Sequence, residues 1–202
     1  MLKLKTAGLP LSKAKKAAIL IHGRGASAAS ILSLAQHLNL DDYALLAPEA
    51  AGGTWYPYSF MASDEANQSA LTSSLAAIKA TWDQISEAGI SSENVLLVGF
   101  SQGACLSLEF AAQNARKLRG VIAFTGGLIG EEIQQSKYSG DFAGSPIFIG
   151  SSEKDMHVPL SRIKDSETLL SRMGAKVKLL IFKDSNHTIR KEEIDWVNGN
   201  IV

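Results

Sequence analysis

Val95-Leu96-Leu97-Val98-Gly99-Phe100-Ser101-Gln102-Gly103-Ala104 changes character at its middle. The first part is an unbroken apolar run of strand length, which is how a strand buried on both faces reads. The alanine-rich stretch 104–115 follows, with Ala104, Leu108, Ala111 and Ala112 spaced as one face of a helix. Only Gly99-Phe100-Ser101-Gln102-Gly103 joins the two. A turn that tight forces its central serine into a strained backbone conformation, and the flanking glycines let strand and helix pack closely around it.

Outward from this turn the same alternation repeats. Apolar runs lie at Ala17–Ile21, Tyr43–Ala47, Val121–Phe124, Pro146–Ile149 and Val177–Phe182, the last interrupted by Lys178 as expected near a sheet edge. Helical stripes lie between them: Ile31, Leu34, Ala35 and Leu38; Leu71, Leu75, Ile78, Trp82 and Ile85, ending near Gly89; Ile163, Leu169, Leu170 and Met173, ending at Gly174. Strands alternating with helices imply an α/β fold, a mostly parallel sheet with helices on both faces. Right-handed crossovers then gather the strand C-termini on one edge, where such folds bind ligands. Two long loops, 49–63 and roughly 126–144, follow strands directly and are expected over that edge.

The 202 residues read as one domain, 1–202, long enough to bury a full core without staples. Twenty basic residues balance twenty acidic ones, so nothing favours a nucleic-acid backbone. Cys105 is the one cysteine, which excludes an internal disulfide and any multi-cysteine metal site. The start, Met1-Leu2-Lys3-Leu4-Lys5, has no apolar segment of signal length, and no apolar run approaches the ~20 residues of a membrane helix. A cytosolic protein with no stable membrane insertion is the expectation.

Between strand and helix, such a serine fits the nucleophile elbow of an α/β-hydrolase, a tight structural turn with an incidental serine being the other reading, and a hydroxyl needs a base held by an acid to attack at neutral pH. In that fold acid and base follow the serine in chain order. His187, in the loop after the last apolar run, occupies the base position. His22 ends the first strong run but precedes the serine, His37 reads as a solvated helix residue, and His157 as a rim residue. The loop after 146–150 supplies Asp155 as acid, with Glu153 as the fallback. Oxyanion donors are expected from the backbone N–H of Gln102 and from Arg24, in the glycine-rich turn His22-Gly23-Arg24-Gly25. That turn has neither the G-x-G-x-x-G spacing nor the Lys-Ser/Thr of a phosphate loop.

Ile19-Leu20-Ile21-His22-Gly23-Arg24-Gly25, Gly99-Phe100-Ser101-Gln102-Gly103-Ala104, Asp155-Met156-His157-Val158-Pro159 and Asn186-His187 together resemble the phospholipase/carboxylesterase family, which includes the acyl-protein thioesterases. The likeness runs over roughly residues 15–200. It implies a compact α/β-hydrolase core without a large cap domain, and a serine hydrolase that cleaves carboxylic esters through an acyl-serine intermediate, with no metal and no cofactor. Ala26 replaces the aspartate common after the oxyanion turn, and Gly150-Ser151-Ser152-Glu153-Lys154-Asp155 departs from the usual acid loop. The chain therefore looks nearer to bacterial carboxylesterase-like members. An acyl thioesterase or lysophospholipase is the enzyme alternative, and a binding protein of hydrolase fold the non-enzyme one.

The segment Trp55-Tyr56-Pro57-Tyr58-Ser59-Phe60-Met61 is read as pocket wall, with Gly23, Trp55 and Tyr58 contacting a small-molecule ester. A satellite core or a homodimer patch are its other readings. Cys105 is read as a small buried apolar residue of the helix after Ser101.

Overall fold

The computed structural model describes residues 3–202; Met1 and Leu2, the start of the stretch examined for a signal, lie outside the described residues. Seven strands form one sheet: β1 (Lys3–Gly8), β2 (Lys16–Ile21), β3 (Tyr43–Glu49), β4 (Val95–Phe100), β5 (Gly120–Phe124), β6 (Pro146–Ser152) and β7 (Lys176–Phe182). Their order is β1-β3-β2-β4-β5-β6-β7, and all neighbours pair parallel except β1, which runs antiparallel to β3. The fold is thus the mostly parallel α/β sheet expected. β1 was not expected from sequence. Its Lys3, Lys5 and Thr6 are exposed, as an edge strand's residues can be, so no apolar run announces it.

Helices cover both faces. The α2 (Asp64–Glu87), α3 (Gln102–Gln113) and α4 (Leu160–Arg172) helices pack on one side, where Ile78, Trp82, Leu108 and Ile163 meet Ile19, Leu97, Val121 and Ile149. The α1 (Ala28–Leu34) and α5 (Lys191–Asn200) helices take the other, where Ile31 and Val197 pack against the group containing Leu20, Val98 and Phe148. Alternate residues of each strand thus feed two cores, which is why the central runs are apolar throughout. The edge strand β7 keeps Lys176 and Lys178 exposed. Among the described residues no helix is long and apolar enough to cross a membrane.

Only the first of the two long loops lines the cleft over Ser101. The second packs away from it. Arg162 of α4, itself buried, donates to the carbonyls of Leu128, Gly130 and Glu131 at 2.7–3.0 Å. Glu109 of α3 accepts from the Ile129 N–H and the Tyr138 hydroxyl, both at 3.0 Å, and its burial pushes the carboxyl pKa up. This loop lines a separate hollow against α2 and contributes no residue to the cleft over Ser101.

Candidate active site

Ser101 sits between β4 and α3 at φ 55°, ψ −118°. A side chain in this region is strained, and the packing around it holds it there. The Ser101 N–H donates to Phe124 O at 2.9 Å, fixing the turn to β5. Gly99 and Gly103 allow the closeness. A Cβ on Gly99 would strike the Gly103 backbone, and one on Gly103 would strike the Ile21 carbonyl.

The hydroxyl meets His187 at 2.8 Å (Oγ to Nε2), and His187 Nδ1 lies 2.7 Å from Asp155 Oδ2. The Asp155 side chain is fully covered, and its Oδ1 accepts the N–H groups of His157 (2.7 Å) and Val158 (3.0 Å). That leaves Oδ2 for the imidazole, so the Nδ1 proton points at the carboxylate and Nε2 offers its lone pair to Ser101. Glu153, the alternative acid, is exposed. His157 is also exposed and packs edge-on against His187, with ring centroids 5.0 Å apart.

A second layer holds the His187 loop. Ser152 Oγ donates to Asn186 O (2.6 Å), and Arg190 Nη2 reaches both Ser152 Oγ (3.0 Å) and Asp184 Oδ1 (2.6 Å). The Asn186 N–H bonds Asp184 Oδ1 as well, at 2.9 Å. Led by that bond, these contacts hold the Asp184 carboxyl below its ordinary pKa. Glu193, on the first turn of α5, takes the Arg190 N–H at 2.7 Å, and its Oε1 is buried with no partner among the described residues. Burial raises its pKa to about 7. Gly150 makes room for it, since a Cβ there would overlap the carboxyl.

On the other side of Ser101 stands the turn after β2. Gly23 is packed so that a Cβ would lie 3.3 Å from Phe100 O and 3.4 Å from Ser101 Cβ. The backbone N–H groups of Arg24 and Gln102 have no acceptor among the described residues. Unpaired donors beside a hydroxyl–imidazole–carboxylate chain are what a developing oxyanion requires. The cleft above measures about 660 Å³. One wall is Arg24, Tyr56, Pro57, Tyr58 and Phe60, the other Met156, His157, Val158 and His187. Among the described residues no cluster of three or more His, Cys, Asp or Glu could hold a metal ion.

Residues 8–201 match the sequence model of the Phospholipase/Carboxylesterase family. The chain belongs to that family. It is accordingly a hydrolase of the α/β type. A phospholipase/carboxylesterase from Dyadobacter fermentans, known from its crystal structure, is 47% identical and superposes with a TM-score of 0.98 over 100% of this chain and 96% of its own. The acyl-protein thioesterase 1 of Kluyveromyces lactis is 28% identical over 177 residues, 79% of this chain and 78% of that protein. Esterase PE8, at 22% identity and a TM-score of 0.82 over 100% of this chain and 99% of its own, shares the fold.

In this phospholipase/carboxylesterase chain the sequence-expected residues do not all meet at the cleft. Ser101, His187, Gln102, Arg24, Gly23 and Tyr58 line it, and Asp155 lies directly behind His187. Trp55 does not, which corrects the expectation. Its indole is buried, donates Nε1–H to His22 O (2.9 Å), and packs 5.0 Å from the His22 ring. An apolar ring able to satisfy its one polar atom inside the core is better hidden there than at a wet mouth. Tyr56 and Phe60 supply wall instead, while Tyr58 and Met156 stand exposed on opposite lips.

Sequence reasoning missed two braces. His22 is wholly buried: its Nε2 takes the Ala50 N–H (3.1 Å), which places the ring proton on Nδ1, 2.8 Å from Gly23 O. The Gln102 side chain clamps the aromatic loop, accepting from Trp55 N (2.9 Å) and donating to Tyr56 O (2.8 Å). Polar residues beside a Gly-rich turn and a nucleophile elbow were the available signal. Cys105 lies under the cleft, and burial pushes its thiol up to about 12, so it carries no thiolate at neutral pH.

Proposed function

We propose that this hydrolase is a serine esterase in which Ser101 attacks the carbonyl of a small-molecule carboxylic ester. The observation that carries the reading is the unbroken hydrogen-bonded chain Ser101–His187–Asp155 opening into a cleft. His187 takes the hydroxyl proton as Oγ bonds the carbonyl carbon. Asp155 keeps the imidazole in the tautomer that can do so and stabilises the imidazolium. The N–H groups of Arg24 and Gln102 bind the oxyanion, each worth about 3 kcal/mol of transition-state stabilisation. His187 then gives its proton to the departing alcohol, and water enters by the same base to free the acid. The chemistry needs neither metal nor organic cofactor.

The thioesterase reading uses the same atoms and draws on the 28% identical yeast relative named for that activity. A matched panel of oxygen esters and thioesters decides between them. Ser101→Ala tests the shared mechanism. It should abolish labelling by a fluorophosphonate probe and nearly all turnover while the protein stays folded. Stoichiometric labelling that persists in the variant would refute the nucleophile.

A further inference from the structure

The strand order divides the cleft into two sides. Loops after β2 and β3 bring Arg24 and residues 56–60 to one side of Ser101, and loops after β6 and β7 bring residues 156–158 and His187 to the other. If Ser101 is the nucleophile, as proposed above, the leaving alcohol must lie beside His187, because that imidazole returns the proton to it. The acyl part of the ester is then left to the β2–β3 side.

That side carries an unneutralised positive charge. Of the sixteen residues lining the cleft, Arg24 is the sole lysine or arginine, and none is aspartate or glutamate. Asp155, close behind, has its charge covered and spent on two backbone N–H groups and His187. The Arg24 guanidinium is exposed and donates to two neutral acceptors, Pro57 O (2.8 Å) and Tyr58 O (2.7 Å). Among the described residues it makes no ion pair. Five N–H groups less two leave three free donors on a cation that those two bonds hold against the cleft wall. A cation already fixed in place loses little freedom on pairing with a planar carboxylate.

We propose that Arg24 selects esters whose acyl part bears a free carboxylate, that is, half-esters of short dicarboxylic acids. The distal carboxylate pairs with the guanidinium while the ester carbonyl lies over Ser101. Oγ bonds that carbonyl carbon, the bond to the alkoxy oxygen breaks, and the alcohol leaves with the proton from His187. Water then cleaves the acyl-serine to give the dicarboxylate. The distal carboxylate is unchanged throughout.

The test compares kcat/KM for monomethyl glutarate and methyl pentanoate, chains of equal length, on the full chain in a pH-stat. The charged ester should be favoured by about twofold to fivefold, the range of an exposed ion pair. The preference should shrink toward unity in 1 M salt, where the Debye length is about 3 Å. Arg24→Gln should erase the preference. Arg24→Lys should keep much of it while slowing both esters, since it retains the charge and loses the bonds to the loop. Equal or better turnover of methyl pentanoate by the unmodified chain, or a ratio untouched by Arg24→Gln, overturns the proposal and leaves the esterase reading intact. A preference appearing only for a carboxylate in the alcohol part, as in acetoxyacetate, also overturns it. Loss of turnover on both esters together with unlabelled Ser101 takes down the esterase reading and this proposal with it.

Discussion

Toward β6 and β7, the loops beside Ser101 are held by charged groups: Asp155 on two backbone N–H groups, Arg190 bridging Ser152 and Asp184, Glu193 on the Arg190 N–H. Toward β2 and β3, the aromatic loop is held mainly by neutral amides and buried rings, with the Arg24 guanidinium on the Pro57 and Tyr58 carbonyls as a charged tie at its rim. Gln102 clamps Trp55 and Tyr56, Asn67 bonds Tyr58 N and Ser59 O, and Trp55 packs on His22. Under the esterase mechanism proposed above, the difference fits the work of each side. Proton transfer through His187 would require a fixed ring angle and tautomer, which directional charged contacts supply. A substrate wall requires shape, which packed rings supply at low entropic cost.

The contrast breaks hardest at Asp155. Asp155→Asn removes the carboxylate that orients His187 and should lower kcat by a factor on the order of 10⁴, as for the equivalent change in serine proteases. Glu153→Gln, on an exposed side chain of the same loop, should change kcat little. Steady-state kinetics on both variants checks this, and a reversed order would mean that the acid lies elsewhere.

Trp55→Ala attacks the other side through packing. Removing a buried indole typically costs ~3–5 kcal/mol, so the melting temperature should fall well below that of the unmodified chain. Because the ring lies outside the cleft lining, kcat/KM should fall by a similar factor for every acyl length. A loss confined to long acyl chains would place the indole in the substrate pocket.

Glu193 gives the smallest and most condition-dependent effect. Its folded pKa of about 7 lies above the ordinary ~4.3, so between those values the folded chain binds more protons than the unfolded one. Its contribution to stability is therefore full below pH ~4.3 and is lost as pH rises through 7. Glu193→Gln mimics the protonated form and should flatten this decline. A gain of about 1 kcal/mol at pH 8.5 would raise the melting temperature by ~2–4 °C, with little change at pH 5. An unaltered pH slope would remove Glu193 from the account.

The central strands were legible because burial on both faces writes itself as continuous apolar runs, and Lys178 correctly marked β7 as peripheral. The serine elbow was legible because its two glycines stand four residues apart in one tight turn, where a Cβ on Gly99 would strike the Gly103 backbone. Residues whose roles depend on partners far along the chain were not. Lys3–Gly8 is a strand because Tyr43–Glu49 pairs with it, and Ser152 supports the His187 loop from 34 residues away. Trp55 was misplaced for the same reason: an aromatic loop near an active edge reads as wall, and only the position of His22 shows which ring faces inward. The 126–144 loop was expected over the active edge, yet Arg162 ties its carbonyls to α4 and none of its residues lines the cleft.

The lysines on the outermost strands bear on how copies of the molecule meet. A sheet with two open rims presents unpaired backbone groups that a neighbour could zip onto, and repeated zipping yields a fibre. Here one rim carries exposed Lys3 and Lys5 and the opposite rim exposed Lys176 and Lys178. Bringing the rims together would crowd four ammonium groups along one seam, so like-charge repulsion guards this protein against polymerising through its own sheet.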